Sequence, residues 1–428
     1  MRKKALIIAY YWPPAGGPGV QRWLKFVKYL RHFGVEPIVY VPENPSYPIV
    51  DDNLLSEVPK DISILKQPIK EPYRVARLFS KKSAKTISRG IIHKTKQQSL
   101  IERTMLYVRG NFFIPDARKN WVNPSVNFLY NYIVENDIDT IITTGPPHSL
   151  HLIGMELKIR LKLRWFADFR DPWTTIGYHK KLKLTKTSLQ KHKTLEKKVL
   201  MTADQIIVTS PTTKVEFEAI TNQPIEVITN GYDYEHITPP KLDTVFSIAH
   251  IGSLLSDRNP KVLWQVLKDL IVENTAFRQD FKLDLVGAVS EEIVATIKDF
   301  NLESHLNLVG YVSHEDAIIY QRKSQVLLLI EIDSDETKCI IPGKLFEYMI
   351  SNRPIIAIGP KDADIKSLVK DTNTGKYFSY NDYDCLKFTI LEYFNAFKAG
   401  HLKSFPVGLQ RYSRKTLTEK LARLILKE

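Results

Sequence analysis

The chain has 428 residues but only two cysteines, Cys339 and Cys385, and no run of apolar residues long enough to span a bilayer. Two cysteines supply neither a disulfide framework nor a thiolate metal cluster. The first strand-like run begins at Ala5, so we expect no signal peptide ahead of it. These absences exclude a disulfide-stapled secreted scaffold and a transmembrane protein, and they predict a cytoplasmic one.

The composition is that of a globular protein, with 43% hydrophobic and 25% charged residues. A chain of this length is longer than one hydrophobic core usually serves, so we expect two domains. The formal net charge is +14, from 61 Lys and Arg against 47 Asp and Glu. Such an excess is typical of proteins that bind nucleic acid, an anionic membrane surface or a polyphosphate substrate, and the charge alone does not choose among them.

A glycine-rich loop follows the first predicted strand, residues 5–9. Gly16 and Gly17 lie in this loop, and residues 20–33 form an amphipathic helical pattern that ends at Gly34. Strand, glycine loop and helix can cradle a phosphate, because glycines let backbone N–H groups approach an anion. The spacing is not GxGxxG, which disfavours a dehydrogenase, and ordinary turn chemistry also explains the loop.

Two further loops follow predicted strands at residues 138–143 and 165–169. The first carries His148 and the second carries Arg170 and Asp171, so all three belong to the edge where α/β sheets bind ligands. Asp171 is a candidate proton acceptor, or simply an Asp that opens a turn before a proline. His148 is a weaker candidate, because a loop histidine can simply cap the next helix.

Residues 70–118 form a basic region with scattered apolar side chains. A solvated helical insertion explains this pattern, and so does an amphipathic surface that docks on anionic lipid. Aromatic residues are too few there for a nucleic-acid stacking platform. Residues 180–198 form a second basic helix, which we interpret as a solvated face.

The second half of the chain starts a new series of strands after a Pro239-Pro240 linker. Residues 339–360 contain a Pro-Gly turn, a short helical pattern that begins at Lys344, and a buried strand that ends before Gly359. Two other predicted strands end in polar loops. Those loops and the short helix contain Gly252, Ser253, Arg258, Tyr311, Val312, Lys344, Leu345 and Glu347.

The segments AGGPGV, GPPHS, ADFRDPW, NGYD, GYVS and PGKLFEYM occur in an order that resembles the retaining nucleotide-sugar glycosyltransferases of the GT-B fold, the family-4-like group found in bacterial cell-surface polysaccharide synthesis. The resemblance covers most of the chain outside the basic region. It implies an α/β fold of two Rossmann-like domains whose parallel sheets face a central cleft. The implied boundaries are 1–238 for an acceptor domain, 239–404 for a donor domain and 405–428 for a helix that returns to the first domain.

The resemblance also implies the roles of the site residues. Glu347 takes the position that holds the donor ribose, and the loop of Gly16 and Gly17 faces the donor phosphates. Arg258 takes the position of a basic side chain that lies against the donor diphosphate. Tyr311 and Val312 match the loop at the nucleotide base. We therefore assign donor binding to these residues with Gly252, Ser253, Lys344 and Leu345, and catalysis to Asp171, Arg170 and His148.

Four residues, at three places in the chain, depart from the family pattern. Cys339 stands eight residues before Glu347, where a first glutamate is usual, and Ser253 stands where an arginine is common. Arg170 and Asp171 stand at the end of a strand where relatives place a catalytic histidine. Asp333 and Asp335 are not placed as a metal-bound diphosphate site, so we expect neither a metal nor a cofactor.

The predicted function is therefore retaining, metal-independent transfer of a sugar from a nucleotide-sugar to a glycan or lipid-linked acceptor, in a cytoplasmic protein with peripheral contact to an anionic membrane. Two alternatives stay open: a non-catalytic nucleotide-sugar-binding protein and a nucleotide-sugar epimerase of the same fold. A nucleic-acid-binding protein is disfavoured, because the basic residues lie away from any recognised binding motif.

Overall fold

The computed structural model describes residues 2–71, 100–233, 238 and 240–427. Most of the basic region, residues 72–99, and part of the predicted linker, including Pro239, lie outside the described residues. The contacts divide the chain into two units, one of residues 1–229 with 414–428 and one of residues 230–413.

The first unit is built on seven parallel strands in the spatial order β3-β2-β1-β4-β5-β6-β7. The five inner strands are almost entirely buried, as expected for strands that are covered on both faces, whereas the two edge strands are more exposed. The strands are β1 (Lys3–Ile8), β2 (Val35–Pro42), β3 (Ser63–Gln67), β4 (Thr140–Gly145), β5 (Arg164–Phe169), β6 (Gln205–Val208) and β7 (Ile225–Val227).

Helices cover both faces of this sheet, and two separate apolar clusters fill the space between the helices and the strands. The helices are α1 (Pro18–Leu30), α2 (Leu100–Phe112), α3 (Val122–Glu135), α4 (Ser149–Leu161), α5 (Gly177–Lys180), α6 (Lys186–Thr202), α7 (Pro211–Glu218) and, at the end of the chain, α15 (Arg414–Leu426). Short 3₁₀ turns occur at Arg31–Phe33, Asp52–Glu57 and Lys119–Trp121.

Helix α15 belongs to the first unit although its sequence follows the second one. Leu417, Leu421 and Ile425 are buried in the same apolar cluster as α1. Arg164, the first residue of β5, donates hydrogen bonds to the carbonyl oxygens of Leu424 (2.9 Å) and Ile425 (3.0 Å). A cation at the carboxyl end of a helix satisfies carbonyl groups that have no partner within the helix.

The second unit repeats the design with six parallel strands in the order β10-β9-β8-β11-β12-β13. The strands are β8 (Phe246–Ile251), β9 (Phe281–Val286), β10 (Leu306–Gly310), β11 (Val326–Ile330), β12 (Ile355–Ile358) and β13 (Gly375–Phe378). The helices are α8 (Lys261–Glu273), α9 (Thr275–Asp280), α10 (Glu291–Asp299), α11 (His314–Lys323), α12 (Gly343–Met349), α13 (Asp364–Asp371) and α14 (Tyr383–Lys398). Short 3₁₀ turns occur at Glu303–His305, Asp335–Thr337 and Leu409–Tyr412.

In each sheet the order of strands reverses once, between β1 and β4 in the first unit and between β8 and β11 in the second. Chains leaving two such strands turn in opposite directions, so they leave a crevice at the carboxyl ends of the strands. The loops after β1 and β4, and those after β8 and β11, are therefore the places in each unit where a ligand is expected.

Candidate functional site

The turn after β8 brings two backbone segments of the second unit very close together. Gly252 and Gly287 both have positive φ, 117° and 122°. A Cβ atom built on Gly287 would lie 2.6 Å from the carbonyl oxygen of Gly252. Glycine is required here both by the backbone conformation and by the close approach of the two segments. Because glycine has no side chain, the backbone of this turn is uncovered at the point where the strand order of the sheet reverses.

Lys344 lies over this turn. Its ammonium group donates to Nε2 of His250 (3.2 Å) and to the carbonyl oxygen of Ile251 (3.1 Å). A Cβ on Gly252 would lie 3.3 Å from the same nitrogen. Burial lowers the pKa of Lys344 to about 8, and Glu331 opposes that shift. The side chain is therefore predominantly a cation at neutral pH.

Arg258 supplies a second cation, paired with a buried carboxylate. Its guanidinium lies 3.1 Å from Glu331, whose side chain is 3% exposed, at the carboxyl end of β11. Within the described residues the Nε atom of Arg258 is buried and has no hydrogen-bond partner. Tyr380 fixes the neighbouring backbone by donating to the carbonyl oxygen of Glu331 (2.8 Å). The Arg258 side chain is 26% exposed, so its guanidinium can also meet an additional anion.

Glu347 lies one turn after Lys344 on α12. Gln321 of α11 donates to its Oε2 atom at 2.9 Å, and Nε2 of His314 lies 4.0 Å from Oε1. The Glu347 side chain is 26% exposed, so its carboxylate is oriented by neighbours and still accessible. A half-buried carboxylate of this kind can accept hydrogen bonds from vicinal hydroxyl groups of a sugar.

The other predicted donor residues differ in what they can contribute. Ser253 is exposed beside Gly252, and Tyr311 is 92% exposed in the loop between β10 and α11. Val312 is half-buried in the same loop. The Leu345 side chain is fully buried in the core, so only its backbone can face a ligand.

The glycine loop of the first unit is pinned to the segment after β2. Gly16 donates its N–H to the carbonyl oxygen of Ile49 (3.0 Å), and Ala15 forms an antiparallel bridge with Val50. Gly17 has a φ of 106° and takes the N-cap position of α1 without a side-chain cap. The first N–H groups of α1 are thus uncapped by any described side chain.

Arg170 joins this loop to the one after β4. It donates from Nη2 to the carbonyl oxygen of Pro146 and from Nε to that of Gly145 (3.3 Å). A Cβ on Gly19 would lie 1.7 Å from its Nη1 atom, so the guanidinium occupies the space that this glycine leaves. Burial lowers the pKa of Arg170, and the charge of Asp171 opposes that shift.

Asp171 follows directly and is half-buried. Burial raises the pKa of its carboxyl group, and the charge of Arg170 opposes the rise. A carboxylate with a raised pKa is a stronger base than an exposed one, so the arrangement is suited to accepting a proton.

His148 is 4% exposed and stacks on Trp173, with ring centres 4.8 Å apart and planes 1° from parallel. Among the described residues, neither of its ring nitrogens has a hydrogen-bond partner, and its side chain does not cap α4. Burial holds the pKa of His148 well below its usual range, with neighbouring His151 adding to the effect. The ring is therefore neutral at physiological pH and retains acceptor capacity.

A buried ion pair lies beneath these loops. Asp168, at 0% exposure, accepts from Arg22 (2.8 Å and 3.4 Å), from Nε1 of Trp23 (2.8 Å) and from the hydroxyl of Thr144 (2.8 Å). Arg22 also donates to the carbonyl oxygen of Thr229 (2.8 Å). This network ties α1, β4 and β5 together below the edge that carries Arg170 and Asp171.

Sequence reasoning did not identify His250, Glu331 and Gln321. Glu331 carried a signal, since it is a carboxylate directly after the five apolar residues of β11. His250 interrupts the apolar run of β8. Gln321 gave no signal, because a polar residue on an amphipathic helix is ordinary.

No group of three or more His, Cys, Asp or Glu residues suited to a metal ion is found in the described part of the chain. Asp335, which belongs to the Asp333/Asp335 pair, is 90% exposed and pairs with Lys338. No helix among the described residues is long and apolar enough to cross a membrane.

No protein-family model and no curated protein matches this chain. Solved structures do match it. HepE from Anabaena in complex with UDP aligns with a TM-score of 0.60 at 13% identity and 99% coverage of both chains. The apo form of WaaB, a lipopolysaccharide outer core galactosyltransferase, aligns with a TM-score of 0.59 at 14% identity, again over 99% of both chains.

A putative UDP-N-acetylglucosamine 2-epimerase from Listeria monocytogenes also aligns, with a TM-score of 0.53 and 13% identity over 99% of this chain and 96% of that one. At such identities the likeness establishes the fold alone. The chain has the GT-B fold, an α/β architecture with two parallel sheets, and the predicted fold class is confirmed.

Proposed function

We propose that the protein is a glycosyltransferase that uses a nucleoside-diphosphate sugar as donor. The observation that carries the proposal is the group at the switch point of the second sheet, where Lys344 lies over the Gly252 turn with Arg258 and Glu347 nearby. Two cations beside an open backbone turn are suited to a diphosphate, and an accessible carboxylate on the same helix is suited to a ribose. HepE, which has the same fold, was crystallised with UDP and with UDP-glucose.

In this proposal Lys344 and Arg258 stabilise the negative charge that develops on the leaving diphosphate, so the reaction needs no metal ion. Tyr311 and Val312 contact the base through the exposed loop after β10. In the first unit Asp171 accepts the proton of the acceptor hydroxyl and Arg170 fixes the loop beside it, while buried, neutral His148 supports this loop by stacking on Trp173. We further propose that the sugar is transferred with retention of configuration.

A thermal-shift screen tests donor binding. The purified protein is heated with UDP, GDP, CDP or TDP and their sugars, with and without EDTA, and with ATP, NAD and a short oligonucleotide as controls. A ligand that binds only the folded state raises the melting temperature as its concentration exceeds its Kd. We expect one nucleoside diphosphate to stabilise the protein regardless of EDTA, and Glu347→Ala to lose the effect while Glu392→Ala, at an exposed ion pair with Lys376, retains it. Stabilisation by the oligonucleotide alone would contradict the proposal.

The likeness to a putative epimerase favours one alternative, a nucleotide-sugar epimerase. The stabilising sugar nucleotide is incubated with the protein without acceptor, and the products are followed by NMR. A new epimer would establish the alternative. A non-catalytic binding protein would bind the donor and show the same residual turnover in wild type and Asp171→Ala.

We propose that the protein contacts an anionic membrane through the described end of the basic region together with helix α6. Helix α2 exposes Leu100 (78%), Tyr107 (44%) and Phe112 (62%). Beside it lies an open groove of about 840 Å³, whose lining includes Phe112, Leu195 and the lysines Lys119, Lys186 and Lys191. Apolar side chains flanked by lysines match the boundary between acyl chains and anionic headgroups.

Flotation with vesicles tests this contact. We expect binding to phosphatidylglycerol vesicles and not to phosphatidylcholine vesicles, and a loss of binding in Lys186→Glu with Lys191→Glu. Lys376→Glu with Lys387→Glu makes the same change of charge on the second unit and serves as control. If the two double variants lose vesicle binding equally, net charge alone governs binding and the proposed contact surface is wrong.

A further inference from the structure

His250 is a polar residue where the fold needs an apolar one. It is 0% exposed in β8, the strand beside the switch point of the second sheet, and its neighbours in that strand are Ile248, Ala249 and Ile251. Burying an imidazole costs free energy unless its nitrogens find partners. A valine or leucine would fill the position without that cost, so the choice of histidine needs an explanation in what its nitrogens contact.

The two ring nitrogens have different partners. Nδ1 lies 3.0 Å from the carbonyl oxygen of Leu328 in β11, and Nε2 lies 3.2 Å from the ammonium of Lys344. A carbonyl oxygen only accepts and an ammonium only donates, so Nδ1 carries the proton and Nε2 is the acceptor. Burial holds the pKa of His250 well below its usual range, and the Lys344 charge adds to the effect. Backbone hydrogen bonds at Leu328 and Ser253 oppose this lowering but do not outweigh it, so the ring is neutral.

The contact with His250 fixes the position of the Lys344 ammonium group. An ammonium has three N–H donors, and His250 and the carbonyl oxygen of Ile251 take two of them. In the described part of the chain no further acceptor is within hydrogen-bond distance, so one donor is left for a ligand at the Gly252 turn. A free lysine side chain rotates about four bonds, and a fixed one loses less entropy when it binds.

We propose that His250 is a positioning residue for the donor site: its Nε2 atom accepts a hydrogen bond from Lys344 and holds that ammonium over the Gly252 turn for the diphosphate of the donor. This role rests on the proposed function. Among the described residues Glu331 accepts no hydrogen bond from Lys344, and the guanidinium of Arg258 has no acceptor, so neither replaces His250.

Two substitutions separate the two nitrogens. In His250→Asn the amide stands near the place of Nδ1, so it keeps the bond to Leu328 and cannot reach Lys344. In His250→Gln the longer side chain places an acceptor near the place of Nε2 and gives up the bond to Leu328. If His250 has only a structural role, His250→Asn should weaken nucleotide binding less than His250→Gln does. If His250 positions Lys344, His250→Gln should weaken binding less.

The binding experiment measures the affinity of the whole protein for UDP, GDP, CDP and TDP by calorimetry. For whichever of them binds, we expect His250→Asn to weaken binding about tenfold, which is the effect of losing a hydrogen bond to a charged group, and His250→Gln to stay within about threefold of wild type. In a Lys344→Met background His250→Asn should have no further effect. Equal weakening by Asn and Gln, or an additive effect in that background, would overturn the proposal.

The second experiment uses no ligand, and it does not depend on whether the variants at position 250 fold. The ring nitrogens of the ¹⁵N-histidine-labelled protein are observed by two-bond ¹H–¹⁵N NMR. We expect one neutral ring protonated at Nδ1, whose Nε2 resonance moves in Lys344→Met. A ring protonated at Nε2, or no response, refutes the contact. If the wild type binds none of the four nucleotides, the proposed function fails and with it the donor-binding role, whereas the NMR result still decides the contact.

Discussion

Replacing Asp168 by asparagine should destabilise the first unit strongly. The side chains of Arg22 and Asp168 are 1% and 0% exposed, and their closest atoms are 2.8 Å apart. Asparagine keeps an acceptor for Trp23 and Thr144 but leaves the guanidinium of Arg22 buried without a counter-charge. Removing one partner of a buried pair costs about 3–5 kcal/mol, so we expect the free energy of unfolding to fall by that amount.

Urea denaturation measures this change, with tryptophan fluorescence as the signal because Trp23 belongs to the network. Glu419→Gln, which removes an exposed pair with Arg423 on α15, is the control and should change the free energy of unfolding by less than about 0.5 kcal/mol. Arg22→Met added to Asp168→Asn should recover part of the loss, because no buried charge then remains. A loss below about 1 kcal/mol in the single variant, or additive losses in the double one, would refute the reasoning.

The same pair predicts a dependence on pH. Burial raises the pKa of Asp168, but the charge and hydrogen bonds of Arg22, with the hydrogen bonds from Thr144 and Trp23, outweigh it, and the net pKa lies below its usual range. The stabilisation is therefore fully present above the unfolded pKa of about 3.9 and is lost as the pH falls through the folded value. The difference in stability between wild type and Asp168→Asn should shrink below about pH 4.

Three further predictions concern the candidate site. Gly19→Ala places a methyl group where the Arg170 guanidinium lies, so transfer activity should fall while the Kd for the donor changes little. Unchanged activity would show that catalysis does not depend on Arg170 being held at this place. His151 has a pKa lowered to about 3 by burial, so stability should decrease as the pH falls from about 6.5 towards 3, and denaturation of His151→Gln should show a flatter pH dependence. Because Lys344 has a pKa of about 8, affinity for the nucleoside diphosphate should decline as the pH rises through 8, and a titration of Lys344→Met should lack that decline.

Much of the fold follows from local sequence signals. Residues 20–33 predicted a helix that ends at Gly34, and α1 followed by a 3₁₀ turn ends there with Gly34 at φ 82°. The pattern after Pro342 predicted a short helix and a buried strand, and these are α12 and β12. Both cases combine a strong stop signal with a clear hydrophobic period, so local sequence was sufficient.

Boundaries without such signals were less accurate. The basic pattern at residues 180–198 predicted one helix, whereas the chain forms α6 at Lys186–Thr202, because the hydroxyl of Thr185 accepts from the backbone N–H of Ser188 and sets the start of the helix. The final pattern from residue 405 begins its α-helix only at Arg414. Lysine-rich segments have little hydrophobic period, so capping decides their limits.

The partners within the candidate site could not be predicted. His250 and Lys344 are 94 residues apart, and Arg258 and Glu331 are 73 apart. Each pair meets because parallel strands place their carboxyl ends at one edge, and which side chains touch there depends on strand order. Strand order is a property of the whole sheet, so the residue types were visible in the sequence and the contacts between them were not.

The most direct test of the account is a crystal structure of the protein with UDP, or with the nucleoside diphosphate that stabilises it best. The account predicts the ribose hydroxyls at the Glu347 carboxylate and the diphosphate at the Gly252 turn within hydrogen-bond distance of Lys344. A nucleotide bound only in the lysine-lined groove of Lys119, Lys186 and Lys191, with the Gly252 turn unoccupied, would contradict it.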